Sequence, residues 1–357
     1  MMKWKGTLRQ SAETLFRWVP FSVEPGLRVF GNPDENSPVF LTCNYDLTVK
    51  RVSKYLRGLD CYLLVARSKG INVWCASCGG DFNEFSVISA IKTSGITDKV
   101  RHRTLIAPQL SAPGIDIEKV KEETGWNVRF GPVYAKDIPR YINKNFRKTE
   151  RMRLVEFNLK DRLEMATIYF VTIALALSIP SLIFFANLYP SIIVLTGLMI
   201  YSIYISFPYI PVNSGFVKVI LGELVFLLCI IALSTLLTGE PFGLQHLVVA
   251  SVLVAAMIGI DFNGTSPTYK SDLGELFYRR GYRRMPFLTG VYRLSPYGSI
   301  QIDQERCSGC TLCYEVCPRG VYKIDFIGHK AKIVRAEDCV NCNACVRQCP
   351  QRCLTLA

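Results

Sequence analysis

Between Ala166 and Ile260 only Lys218, Glu223 and Glu240 carry a formal charge. An apolar stretch of that length is read as crossing a lipid bilayer. Candidate spans fall at about 165–187, 190–207, 216–237 and 244–260, each near the roughly twenty residues that a helix needs to cross the hydrocarbon core. Basic residues crowd the flanks: residues 140–162 contain eight Lys or Arg against three acids, and residues 270–293 six against two, whereas the links near Tyr189 and 239–243 contain none. By the positive-inside rule both soluble parts face the cytoplasm from a multi-pass anchor in the cell membrane, so an even number of crossings is expected. Splitting the first span at Pro180 would give five and strand the C-terminal part on the wrong side. The flanking pattern also accounts for the formal net charge of +13 without a basic face for nucleic acid. The opening run MMKWKGTLRQSAETLFRWVP has no uninterrupted apolar core ahead of a small-residue cleavage site, so no signal peptide is expected. Within the spans, Glu223 lies five residues beyond Lys218 and reads most simply as an interfacial carboxylate that snorkels. Cys229 reads as a small packing residue, and His246 is assigned no role.

A chain of 357 residues exceeds one compact core. The expected organisation is a Rossmann-like α/β domain at 1–150, an all-α transmembrane domain of four helices at 151–268, a linker at 269–298 and a small α+β domain at 299–357. Evidence for the first is the alternation of β-rich runs with helical patterns from about 36 to 146. VFLTC (39–43), CYLLVA (61–66), INVW (71–74), TLIAP (104–108) and NVRF (127–130) are candidate strands, while 47–57, 83–93 and 117–124 have helical spacing. A mostly parallel sheet is the economical assembly.

The last domain contains an internal repeat. Cys307, Cys310, Cys313 and Cys317-Pro318 recur, shifted by 32 residues, as Cys339, Cys342, Cys345 and Cys349-Pro350. The pattern C-x2-C-x2-C-x3-C-P, twice, is that of a bacterial-type ferredoxin with two 4Fe-4S clusters. Three thiolates of each loop grip one cube, and the fourth cysteine reaches across to the other. Cluster one is thus expected on Cys307, Cys310, Cys313 and Cys349, and cluster two on Cys339, Cys342, Cys345 and Cys317. Zinc needs four thiolates at tetrahedral spacing and no duplicated triple. These eight of the fourteen cysteines must be free thiolates, which implies a reducing compartment rather than a disulfide scaffold.

A second constellation is GINVWCASCGGDFN, residues 70–83. An extended run is expected to end at Trp74, with a helix beginning near Asp81 or Asn83 after two glycines. A cysteine close to a helix start has its thiolate favoured. Cys75 and Cys78 could form a thiol–disulfide pair of the W-C-x-x-C kind, fed with electrons by the ferredoxin. Asn72 and Thr42 could line a ligand crevice at the carboxyl ends of strands. Trp74 reads as a core residue or a stacking surface, and His102 as a surface or helix-end residue.

The run NVWCASCGG resembles the cap-helix motif NVWCAAGKG of HgcA, the membrane corrinoid protein family of microbial mercury methylation. Collinear similarity continues through PVFLTCNYDLTVKRVSKYLRGLDCYLLVARSKG before it, HRTLIAPQLSAPGIDIEKVKEETGWNVRFGPVYAKDIP after it, and GIDFNGTSPTYKSDLGEL at the end of the apolar segment. The partner family, HgcB, is a ferredoxin with two 4Fe-4S clusters, here matched by the fused C-terminal module. The resemblance implies that Cys75 is the lower axial ligand of a cobalt corrinoid held over a Rossmann-like domain, with Asn72, Trp74 and Thr42 near the cofactor. A thiolate is a soft, strongly donating ligand suited to cobalt that passes on a methyl group. It implies a methyltransferase of anaerobes whose cobalt is reduced by the chain's own clusters. The methyl donor would be a methyl-pterin or methyl-folate protein, with a low-potential electron donor upstream. Two departures stand out. Cys78-Gly79 replaces the family's Gly-Lys, and Cys353 stands alone where the family ferredoxin has a C-terminal cysteine pair. Mercury is therefore not carried over as the acceptor.

Overall fold

The computed structural model describes residues 20–184, 186–212, 215–238, 251, 280–282 and 300–356. These fall into two compact units, one formed by the described residues of 20–155 and 300–356, the other by those from 156 through the apolar helices.

In the first unit, strands β1 (Gly26–Phe30), β2 (Val39–Cys43), β3 (Cys61–Ala66), β4 (Thr104–Ala107) and β5 (Asn127–Phe130) make one sheet in the order β1-β3-β2-β4-β5. Strands β2 to β4 are near-continuous apolar runs covered on both faces, and they pair in parallel together with β5, an edge strand that alternates with Asn127 and Arg129 exposed. An edge strand absent from the sequence reading, β1, lies antiparallel on β3 with Gly26 opposite Val65 and Phe30 opposite Cys61.

Side-chain alternation divides the sheet into two cores. Val39, Leu41, Tyr62, Leu64, Leu105 and Val128 face one core. Phe40, Leu63, Val65 and Ile106 face the other. Helix α1 (Asp46–Leu56) covers the second face through Val49 and Leu56. The run expected as a fifth parallel strand, 71–74, is instead the start of α2 (Val73–Gly79). Helices α3 (Glu84–Thr93) and α4 (Ile117–Thr124) cover the first face through Val87, Ile91 and Val120. Helix α5 (Ile138–Asn143) adds Ile138 and Tyr141 to the second. The chain leaves β2 for β3 on one side and returns to β4 on the other, so the strand order reverses at β2. In such sheets ligands sit beyond the carboxyl ends of the strands at that point.

The second unit holds three helices long and apolar enough to cross a membrane. They are α6 (Leu159–Phe184), α7 (Tyr189–Ser206) and α8 (Gly215–Thr238). Pro180 lies inside α6 without dividing it. Apart from Ser251, the fourth expected span, 244–260, with His246, lies outside the described residues. Gly197 of α7 sits beneath the Phe170 ring, and Thr167 and Tyr201 hydroxyls meet at 2.8 Å. Arg162 is buried, and its guanidinium donates to the carbonyls of Tyr204 (3.3 Å) and Ile205 (2.6 Å) at the end of α7. Glu223 is buried and hydrogen-bonded to Ser251, so it does not snorkel as the sequence reading expects. Leu175, Ile179, Ile183, Val225 and Leu228 point outward, as lipid-facing side chains would.

The C-terminal module belongs to the first unit and shares one continuous apolar core with the α/β domain. Lys148 joins the two: its ammonium donates to the Glu315 carbonyl (2.8 Å) and Gln109 Oε1 (3.1 Å) and pairs with the Glu315 carboxylate at 3.0 Å. Burial pulls the Lys148 pKa down to about 8. The unfolded chain therefore holds that proton more tightly than the native one, and the cost of burying the charge is fully present below pH 8. It is relieved as pH rises from 8 towards the ordinary value of 10.5. Lys148→Met should flatten the pH dependence of the thermal midpoint across that window, measured on the detergent-solubilised protein.

Candidate functional site

Asn44, directly after β2, organises the approach to the cysteine helix. Its buried Oδ1 accepts from Ser68 N (2.8 Å), Ser68 Oγ (3.0 Å) and Gly70 N (3.2 Å), and its Nδ2 donates to the Val23 carbonyl at 3.1 Å. The Ser68 hydroxyl also donates to the Ile71 carbonyl at 2.8 Å. Two strand ends and the loop 67–72 are thereby tied together, and the loop delivers Asn72 to cap α2. Asn72 Oδ1 accepts from Cys75 N at 3.0 Å, while its Nδ2 donates to Cys75 Sγ at 3.3 Å. Such a cap satisfies a first-turn amide and, through the sulfur contact, favours the thiolate over the thiol.

Cys75 thus lies in the first turn of a helix, not before one. The helix closes on Gly80, whose left-handed φ of 83° a side chain would resist, and α3 then begins from an Asn83–Ser86 capping box. Gly114 packs against the Phe82 carbonyl and Ser77, where a Cβ has no room. Cys75 and Cys78 are both half-buried and stand one turn apart on α2. Burial, and then the neighbouring Cys75 thiol, push the Cys78 thiol well up. Two buried polar atoms on the same helix, Trp74 Nε1 and Ser77 Oγ, have no hydrogen-bond partner, which marks a place prepared for a further group. Thr42 Oγ1 is likewise buried and unpartnered, yet by strand alternation Thr42 faces with Phe40, away from the core that holds Ala76 of α2. The structure therefore brings Asn72, Trp74, Cys75 and Cys78 together and leaves Thr42 apart. His102 braces the start of β4, with Nε2 at 3.0 Å from the Ser37 carbonyl and Nδ1 accepting from Thr104 N at 3.2 Å.

The C-terminal module is built from two matching loops. It comprises β6 (Ile300–Ile302), α9 (Leu312–Val316), β7 (Tyr322–Asp325), β8 (Lys330–Ile333), α10 (Ala344–Arg347) and β9 (Leu354–Leu356). Left-handed backbone recurs at the repeat spacing, at Gly309 and Thr311 in one loop and Asn341 and Asn343 in the other. Asn tolerates that conformation, whereas a β-branched Thr311 adopts it at a cost. Cys307, Cys310, Cys313 and Cys349 line one cavity, and Cys317, Cys339, Cys342 and Cys345 line another. The thiols surround spaces rather than converging on a point: among the described residues no three metal-binding side chains sit at single-ion spacing. The donor set fits a cube held at its corners. Cys353, not assigned by the sequence reading, lines the first cavity as well. Tyr322 donates to Cys345 Sγ at 3.0 Å, and the amide of Val321 to Cys317 Sγ at 3.5 Å.

The second loop is seated on the α/β domain. Gln348 is buried, and its Nε2 donates to the carbonyls of Ala112 (2.8 Å) and Ile115 (2.6 Å). Arg347 pairs with Glu84 of α3 at 2.7 Å. Cys78 is near enough to Cys342 for its charge to help raise that thiol, after burial and Cys345. Neither Gln348 nor Arg347 carries any sequence signal beyond lying beside Cys349. Asn72→Ala should cost about 1 kcal/mol of stability. With the sulfur's donor gone, alkylation of Cys75 at neutral pH should slow, as read by peptide mass spectrometry.

Comparison with known proteins agrees with this division. Residues 6–142 match the family described as CO dehydrogenase/acetyl-CoA synthase delta subunit, and residues 300–356 match the 4Fe-4S dicluster domain. A similar curated protein is the acetyl-CoA decarbonylase/synthase complex subunit gamma of Methanothermobacter thermautotrophicus, 41% identical over 140 residues, 39% of this chain and 30% of that protein. The corresponding subunits of Methanopyrus kandleri and Methanocaldococcus jannaschii are each 39% identical, over 35% and 40% of this chain and 27% and 29% of their own lengths. The chain thus spans less than a third of the length of these relatives. It pairs a segment similar to the CO dehydrogenase/acetyl-CoA synthase delta subunit with one similar to the 4Fe-4S dicluster domain, consistent with the corrinoid and ferredoxin pairing that resemblance to the HgcA and HgcB families implies.

Proposed function

We propose that the chain is a membrane-anchored corrinoid iron-sulfur protein that carries out methyl transfer at cobalt ligated by Cys75, with electrons supplied by its own two 4Fe-4S clusters. A bound corrinoid would supply the methyl-carrying metal, and clusters on Cys307, Cys310, Cys313 and Cys349 and on Cys317, Cys339, Cys342 and Cys345 the low-potential electrons. The residues of α2 do the rest. Asn72 holds the Cys75 sulfur and favours its anionic form, Trp74 and Ser77 offer unpaired donors beside it, and Cys78 lies between that sulfur and the second cluster loop. The observation that carries the reading is the seating of that loop on the Cys75 domain by Gln348 and Arg347. An electron carrier fixed against one thiol helix has that helix as its nearest client. The anchor is read as four spans with both soluble parts on the cytoplasmic side, the donor as a methyl-pterin or methyl-folate protein, and the acceptor is left unassigned.

A second reading has its own support: Cys75 and Cys78 stand one turn apart beside the ferredoxin, as a ferredoxin-linked disulfide reductase would require. A plain electron-transfer subunit is the third. Anaerobic purification should give cobalt near one per chain in the first case and cluster iron without cobalt in the others. Cys75→Ala should abolish sulfur ligation of cobalt, seen in the visible spectrum, while leaving cluster iron unchanged. Cys78→Ala should spare that ligation, whereas a reductase would lose activity with either change.

A further inference from the structure

The two halves of the ferredoxin module follow the same path past their fourth cysteine. Gly320 and Arg352, 32 residues apart, are both left-handed, at φ 65° and 47°. The residue after each turns back into the cavity that its own fourth cysteine lines, Val321 with Cys317 and Cys353 with Cys349. In the first half that residue is Val321, which is buried and packs there. In the second it is Cys353, 5% exposed, with its Sγ 3.4 Å from Cys349 Sγ and its carbonyl accepting from Asp303 N at 2.8 Å. Packing alone is met by a valine, as the first half shows, so the thiol at 353 adds a function that packing does not need. Its cavity is lined by five cysteines, Cys307, Cys310, Cys313, Cys349 and Cys353, where a cube has four irons to ligate.

We infer that Cys353 is a fifth, interchangeable ligand of the first cluster, able to take over the iron that Cys349 holds. The inference rests on the two-cluster reading above. In the exchange the iron–sulfur bond to Cys349 breaks as the bond to Cys353 forms, and the Cys353 thiol proton passes to the Cys349 sulfur, with no electron gained or lost. While Cys349 ligates, the Cys353 thiol sits against its sulfur. When Cys349 is removed, Cys353 loses its thiol proton to solvent as it binds the freed iron, and the cluster keeps four thiolates. The second cluster has no such reserve, since Val321 occupies the matching place.

The test is iron and acid-labile sulfide per chain, with electron paramagnetic resonance of the anaerobically purified, oxidised protein. The wild type should contain about eight irons. A much lower value would fail the two-cluster reading itself and not the exchange. Cys349→Ala should retain that iron and show no three-iron signal. Cys349→Ala combined with Cys353→Val should drop by about one iron and show the signal, as should Cys317→Ala, whose half lacks the spare thiol. Should Cys349→Ala fail to accumulate, Cys317→Ala with Val321→Cys transplants the fifth thiol and should restore the iron lost in Cys317→Ala alone. A three-iron signal in Cys349→Ala itself, or no restoration by the transplant, overturns the inference.

Discussion

The amide of Gln348, donating to two backbone carbonyls just beyond α2's neighbourhood, is the contact on which the rest of the soluble unit depends. Ala112 and Ile115 are buried, so their carbonyls have no easy recourse to water. A buried acceptor left unmade costs more than the same bond contributes when formed, about 1–3 kcal/mol against about 1. The Arg347–Glu84 pair is partly exposed and adds less. On the other side of the seat, Arg153 donates to the Tyr314 carbonyl at 2.6 Å and stacks 3.4 Å from the Tyr314 ring centroid, and Gln109 donates to the Arg153 carbonyl at 2.8 Å. Two groups of polar contacts, one near each cysteine loop, fix both position and rotation.

That seat changes the meaning of the basic flank. Of the eight Lys and Arg in residues 140–162, Lys148 and Arg153 are buried against the ferredoxin module and Arg162 against the end of α7. Their charges are committed to carbonyls and a carboxylate, so the full count of eight overstates the charge left to act on lipid. Composition counts charge without knowing where it is spent, which is why the flank reads as a membrane signal from sequence and as partly an interface in the fold.

Legibility followed the range of the interaction that decides each element. Strands β2 to β5 and helices α3 and α4 were readable because continuous apolar runs and caps such as Asn83 and Asp116 are local. The cluster cysteines were readable because the repeat is written in spacing. The segment 71–74 misled, since a short β-branched run after a glycine has no period of its own. What decides it is Asn72, held by a loop that Asn44 anchors from 24 to 26 residues away. The edge strand β1 is also set by a distant partner, β3, and its own five residues alternate poorly. At the site, the cysteines and Asn72 were legible as residues. The neighbourhood of Cys78 and Cys342 was not, because it is created by docking.

The seat adds a handful of hydrogen bonds and two ion pairs, Lys148–Glu315 and Arg347–Glu84, to a shared apolar core. Each bond contributes on the order of 1 kcal/mol net, so two separate proteins meeting through these contacts would have to offset the entropy of association from a small sum. Joining them in one chain makes the second encounter intramolecular, at an effective concentration set by the tether. Polar, specific contacts to Ala112, Ile115 and Glu84 then fix the register in which the second loop meets the α/β domain. The price of that arrangement is a fixed partner: with Gln348 seated, the second loop is committed to the Cys75 domain. In the first loop, by contrast, Cys310 is exposed.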